Sequence, residues 1–184
     1  LVVVDSDKQK GTLTLVVQEA GLSSTKFCQL AEGDEILDVV GPLGTPYAIS
    51  KVGTVVCVGG GVGTVSVLPV ARAMKEAGNR VVSVVAAQTK DRLVVVDEMR
   101  QASDELIVVT DDGSEGQKGL PVDALGEILA REQVDRIVAV GPGAMMEAIC
   151  QVGKEKSIPV DVALNAIIVD GTGICGSCRL TIGG

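Results

Sequence analysis

The 184 residues are 46% apolar and 22% charged, enough for one domain, or for one domain and part of another. A formal net charge of −8 argues against nucleic-acid binding through phosphate neutralisation, and no apolar run reaches the ~18 residues of a membrane span. The absence of His removes Ser-His-Asp and Cys-His machinery, imidazole acid–base steps and His-ligated zinc.

In chain order, Leu1-Val2-Val3-Val4 is followed at once by Asp5 and Lys8, which is not the pattern of a signal segment, so a cytoplasmic protein is expected. Residues 1–50 read as short strands, Leu1–Val4, Thr12–Gln18 and Glu35–Val40. The loop Gly21-Leu22-Ser23-Ser24-Thr25 opens a short helix through Leu30. This pattern is the C-terminal end of an antiparallel β-barrel. Residues 51–163 alternate: strand Thr54–Val58, helix Thr64–Glu76, strand Val81–Ala87, helix Lys90–Ala102, strand Leu106–Thr110, a loop Asp111–Gly119, helix Val122–Glu132, strand Arg136–Val140, helix Ala144–Gly153, strand Val160–Leu164. Five strands alternating with helices predict an α/β fold with a parallel, doubly wound, Rossmann-like sheet. Residues 164–184 form a third region, a glycine-rich loop holding two cysteines.

Gly59-Gly60-Gly61-Val62-Gly63-Thr64 follows the first strand of that sheet and opens a helix. Glycine there lets the backbone approach a phosphate, and a helix start offers unpaired N–H groups. The spacing gives Gly-x-Gly-x-x-Thr rather than a third glycine, and a tight turn without a ligand competes with the phosphate reading. A second glycine turn, Gly141-Pro142-Gly143, with Met145 just beyond, lies after the fourth strand, where Pro142 equally suits a plain helix start. Two such turns flanking one crevice point to a dinucleotide, because ligands bind at the carboxyl ends of parallel strands. Asp111 and Asp112, in Thr-Asp-Asp-Gly-Ser after the third strand, are candidates for a ribose; a solvated turn is the alternative. Lys90 and Arg92, after the second strand, are candidates for a 2′-phosphate. NAD and NADP both stay open.

Of the five cysteines, Cys28, Cys57 and Cys150 fall in predicted helix or strand and read as small buried hydrophobes. Cys175 and Cys178 form a Cys-x2-Cys pair, and Asp170 stands five residues ahead, giving Asp-x4-Cys-x2-Cys. Plant-type [2Fe–2S] sites use Cys-x4-Cys-x2-Cys with a distant fourth Cys, so Asp170, Cys175 and Cys178 are candidate iron ligands. Zinc, a redox dithiol and no role at all are the alternatives.

These motifs occur together in one group. Val-Gly-Pro-Leu-Gly (Val40–Gly44), the glycine turn, the Asp-Asp-Gly-Ser loop and Val-Asp-Gly-Thr-Gly-Ile-Cys-Gly-Ser-Cys (Val169–Cys178) run in that order. The chain resembles the small, electron-transfer subunits of NADH-dependent ferredoxin:NADP oxidoreductase (also described as sulfide dehydrogenase) and of dihydroorotate dehydrogenase, in the ferredoxin–NADP reductase-like superfamily. The resemblance implies an oxidoreductase flavoprotein subunit. FAD would be bound by the barrel, with Gly21, Ser23, Ser24 and Thr25 at its pyrophosphate. NAD(P) would be bound by Gly59–Thr64 and Gly141-Pro142, and a [2Fe–2S] cluster by the C-terminal loop. Hydride would pass between NAD(P)H and FAD, and single electrons through the cluster to a larger partner subunit. The resemblance also implies barrel strands upstream of Leu1 and a last cluster Cys after Gly184. It implies Pro where Ser66 stands and Arg where Gln88 stands. The competing function is a catalytically silent nucleotide-binding module that regulates or scaffolds a complex.

Overall fold

The computed structural model describes residues 1–181, so the glycines predicted for the cluster loop at 183 and 184 lie outside the described residues. The chain opens with an antiparallel hairpin, β1 (Val2–Asp7) and β2 (Thr12–Val16), paired from Val2↔Val16 to Asp7↔Thr12. Helix α1 (Leu22–Cys28) follows. The third predicted strand, Glu35–Val40, does not form: residues 30–53 run as irregular chain. A strand is stable only when its N–H and C=O groups find a ladder. No neighbour offers one among the described residues, and Pro42 has no N–H to donate.

The parallel sheet is built from β3 (Thr54–Gly60), β4 (Arg80–Ala87), β5 (Glu105–Thr110), β6 (Gln117–Lys118), β7 (Arg136–Val140) and β8 (Val160–Val162). Their spatial order is β6-β5-β4-β3-β7-β8. The five expected strands are present. The two-residue β6, inside the predicted loop 111–119, extends the edge by pairing with Val109 and Thr110. Helices α2 (Gly63–Glu76), α3 (Val96–Ala102), α4 (Pro121–Arg131) and α5 (Gly143–Lys156) make the crossovers.

Strand β3 shows why this sequence makes a two-faced sheet. Its run Val55-Val56-Cys57-Val58 is fully buried, as a central parallel strand requires. Successive side chains point to opposite faces. Val55 and Cys57 join Val65, Leu68, Met74, Val81 and Met99 under α2 and α3. Val56 and Val58 join Val82, Val84, Leu125, Ile128, Ile137 and Ile149 under α4 and α5. Each such side chain contributes roughly 1.5–3 kcal/mol on burial. The hairpin leans on α2 through Val4, and Arg72 of α2 donates to the Val4 carbonyl at 3.5 Å.

The helix predicted over Lys90–Ala102 is divided. A 3-10 turn, Lys90–Arg92, is followed by extended Leu93, and Val95 takes a left-handed conformation (φ 49°) before α3 begins. That conformation is strained for a β-branched residue. Leu93, Val95 and Val96 pack against the first-face core, so burial of this apolar run overrides helix continuity.

Candidate functional site

Strand β3 pairs with β4 on one side and β7 on the other, so the chain reverses direction across the sheet between β3 and β7. At the carboxyl ends of such a pair the outgoing connections diverge and leave a crevice. Here the crevice is a cleft of about 360 Å³. Its walls are Gly60, Gly61, Ala86, Ala87, Pro142 and Met145, with Leu120 and Pro121 at the start of α4 and Gln88, Arg92 and Asp111 as its polar groups. A mostly apolar cleft of this size with a few convergent polar groups is the usual form of a small-molecule site.

The glycines have distinct physical roles. A Cβ on Gly59 would fall 2.5 Å from Thr64 Cα, and one on Gly63 would strike the Val140 carbonyl oxygen. These two let α2 start close against β3 and β7. A Cβ on Gly60 would lie 2.7 Å from Met145 Sδ and 3.0 Å from Pro142 Cδ, and one on Gly141 would lie 2.6 Å from Met145 Cε. Those two bring the glycine turns together under Met145. Gly61 differs, because a Cβ there would meet nothing within 4 Å. It is needed for its φ of +55°, which turns the chain from β3 toward α2, while its N–H bonds the Ala86 carbonyl at 2.8 Å. Gly60 and Gly61 therefore line the cleft, Gly59, Gly63 and buried Thr64 pack beneath it, and Val62 faces solvent. The Thr64 hydroxyl is buried and unpartnered.

The paired carboxylates separate in the same way. Asp111 lines the cleft, its N–H bonded to the Ala87 carbonyl at 3.1 Å. Asp112 does not line it. Its Oδ1 accepts the Ser114 hydroxyl at 2.7 Å and the Ser114 N–H at 2.9 Å, and the hydroxyl bond holds its pKa below the usual carboxylate value. Leu120, Pro121, Ala86 and Ala87 are cleft residues that sequence reasoning did not single out. The only available signal was the Pro at a helix start after the acidic loop.

The 21–25 loop borders a second, more open cavity of about 400 Å³ together with Leu1, Val17, Leu22 and Phe27. Gly21, Ser23 and Ser24 line it; Thr25 does not, and its N–H bonds the Gly21 carbonyl at 2.9 Å. The Ser24 hydroxyl is taken up by the helix start, accepting the Ala20 and Gly21 N–H groups and donating to the Gly21 carbonyl, each at 2.9 Å.

In the C-terminal loop Gly171, Gly173 and Gly176 all have positive φ, which folds the chain tightly around Asp170. The Asp170 carboxylate accepts the Thr172 N–H at 2.9 Å and the Cys175 N–H at 3.2 Å; the Thr172 backbone bond is the main reason its pKa is lowered. Cys175 Sγ lies 3.2 Å from Ser177 Oγ, and that hydroxyl holds the thiol below the ordinary thiol value. The groups are chemically suited to iron, but among the described residues no three His, Cys, Asp or Glu side chains gather as a metal-holding set. Cys57 is the buried cysteine expected, its thiol pushed up to about 12 by desolvation, whereas Cys28 is exposed and Cys150 half-buried.

The strand order and the switch-point cleft define a doubly wound α/β protein with a crevice at its switch point. Over its whole length the chain is 46% identical to a Thermotoga maritima protein described as a dihydroorotate dehydrogenase B (NAD(+)) electron transfer subunit homolog, covering 65% of that relative. It is 33% identical over 166 residues to a probable electron transfer subunit of the same enzyme from Thermococcus kodakarensis, covering 90% of this chain and 68% of that one. A solved structure of an NADH-dependent reduced ferredoxin-NADP oxidoreductase superposes with a TM-score of 0.89 and 44% identity, covering 99% of this chain and 66% of the other. No family model matches. The chain belongs to the family of dihydroorotate dehydrogenase B electron transfer subunits, of ferredoxin–NADP reductase-like fold. It spans about 65% of the length of the first curated relatives it matches. Among the described residues no helix is long and apolar enough to cross a membrane.

Proposed function

We propose that this chain is the nicotinamide- and flavin-handling part of an oxidoreductase electron-transfer subunit, and that it takes NAD(P)H into the cleft between β3 and β7. One observation carries the reading: the largely apolar cleft sits at the carboxyl ends of the two strands where the sheet reverses, with α2 starting beneath it. The start of α2 offers N–H groups and a partial positive charge to a pyrophosphate at Gly60 and Gly61. Asp111 would accept ribose hydroxyls. Pro142 and Met145 would pack on the nicotinamide and exclude water from it. A bound flavin would supply the chemistry, taking a hydride from the reduced nicotinamide and releasing its electrons singly. No side chain of this chain has to move a proton for that transfer, which agrees with the absence of His.

On this reading the chain comprises the end of a flavin-binding barrel (1–50), a nucleotide domain (51–163) and a cluster loop (164–184). Gly21, Ser23, Ser24 and Thr25 would hold the FAD pyrophosphate, mainly through backbone N–H groups, because the Ser24 hydroxyl is already engaged. Asp170, Cys175 and Cys178 are proposed donors to a [2Fe–2S] cluster on the chemistry of two thiols and a carboxylate. Among the described residues they are not gathered into one set. The second reading is a catalytically silent nucleotide-binding module that regulates or scaffolds a complex. In the first reading the subunit works with a larger flavin/iron–sulfur partner.

The test uses the full-length subunit, purified without oxygen. NADH is expected to bleach its yellow flavin absorption, and an iron assay to find about two irons per chain. A colourless, iron-free subunit that still binds NADH would establish the module instead. A subunit that binds no nicotinamide nucleotide would sink both readings.

A further inference from the structure

Two loops border the cleft beyond the ends of β4 and β5, and they are laced together. The Asp111 and Asp112 N–H groups donate to the Ala87 and Gln88 carbonyls at 3.1 and 3.3 Å, extending the β4–β5 ladder past both strands. Buried Thr110 anchors the second loop: its hydroxyl donates to the Glu115 carbonyl at 2.7 Å and accepts the Glu115 N–H at 3.1 Å. From that base, Ser114 Oγ accepts the Lys90 N–H at 2.8 Å and donates to Asp112 at 2.7 Å. The Glu115 carboxylate holds the Lys90 ammonium at 3.2 Å. Arg92, two residues after Lys90, and Asp111 both line the cleft, while Lys90 does not.

We propose that Ser114 and Glu115 are positioning residues for the nucleotide: they clasp the Lys90–Arg92 turn, fix the spacing of Arg92 and Asp111 across the cleft, and keep the Lys90 amine out of it. This rests on the reading of the cleft as a nicotinamide-nucleotide site. The turn follows the second strand of the sheet in chain order, where doubly wound proteins discriminate a ribose hydroxyl from a 2′-phosphate. Of the two cations on that turn, Arg92 lines the cleft and Lys90 is bound to Glu115, so the clasp also sets selectivity. With Glu115 in place, a 2′-phosphate meets only the Arg92 guanidinium and is opposed by Asp111. With Glu115 neutralised, the long Lys90 stem is free to turn its charge toward the phosphate.

The experiment measures NADH and NADPH dissociation constants for the full-length subunit and its Ser114→Ala, Ser114→Thr and Glu115→Gln variants, with thermal unfolding recorded for each. Ser114→Ala is expected to weaken NADH binding about threefold to tenfold, the loss of one or two hydrogen bonds, and Ser114→Thr to restore most of it. Glu115→Gln is expected to shift the preference toward NADPH about twofold to fivefold, the scale of an exposed ion pair. A merely structural role would weaken both nucleotides equally and leave that preference unmoved. Variants with the parent's affinities and preference would overturn the clasp while leaving the cleft reading intact. A parent that binds neither nucleotide would overturn the cleft reading itself.

Discussion

The parallel-sheet segment and the segments flanking it treat the same residue types in opposite ways. Between residues 54 and 162, Val, Leu and Ile side chains fill two continuous cores, and Leu68, Leu125, Ile137 and Ile149 are completely buried. In the flanks, Leu37 is 98% exposed, Ile174 87% and Val40 76%. Apolar content therefore does not by itself make a core. An apolar residue is buried only where a paired backbone presents it to another layer. The cleft belongs to the first kind of region and the thiol loop to the second. That explains why cleft residues arrive with defined spacing while Asp170, Cys175 and Cys178 do not gather. A ligand site inherits its precision from the elements that carry it.

The largest effect is expected in the cores. Leu68→Ala should cost about 2–5 kcal/mol of stability, whereas Leu37→Ala should stay within about 0.5 kcal/mol. Urea unfolding of the two variants checks this, and equal costs would break the contrast. The next effect sharpens the cleft. Gly60→Ala puts a methyl against Met145 and Pro142 and should weaken NADH binding about tenfold, the effect of roughly 1.4 kcal/mol of crowding. Because the tight neighbour is the flexible end of Met145, the double variant Gly60→Ala, Met145→Ala should recover part of that affinity in a binding titration.

The smallest effect concerns the end of the sheet opposite the cleft, where β4 and β5 begin. Arg80 bridges Glu132 at 2.7 Å and Glu105 at 3.0 Å, and Arg131 also pairs with Glu105. The Arg80 bond lowers the pKa of Glu132 below its ordinary 4.5. A carboxylate whose folded value is depressed stabilises the fold above its unfolded value and loses that contribution as pH falls through the folded one. Stability should therefore drop as pH is lowered from about 5 through the lowered value, and Glu132→Gln should flatten that part of the curve by up to about 1 kcal/mol. Melting temperatures between pH 3 and 7 measure it.

Much of this was legible in the residues. The Val-rich runs at 54–58, 81–87 and 136–140 are apolar on both faces, and only a central parallel strand needs that. The glycine turns and Pro142 mark where helices begin against strand ends. The run Glu35–Val40 misled because its composition suits a strand, yet strand formation depends on a partner that no local pattern encodes. The Lys90–Ala102 prediction failed for a related reason: Leu93, Val95 and Val96 are bound to the core on one side of a strained residue, and helix propensity is weak against that burial.

By itself the sequence determined the element types of the parallel sheet, their alternation, the two buried faces and the strand ends where a crevice opens. These follow from periodicity and from glycine and proline chemistry, which act within a few residues. Only the tertiary structure decided that Asp111 and not Asp112 reaches the cleft, that Gly61 serves through its conformation while Gly60 serves through its lack of a side chain, and that Lys90 is held by Ser114 and Glu115. Each depends on which distant strand end lies alongside, and that placement is set when β3, β4, β5 and β7 pair.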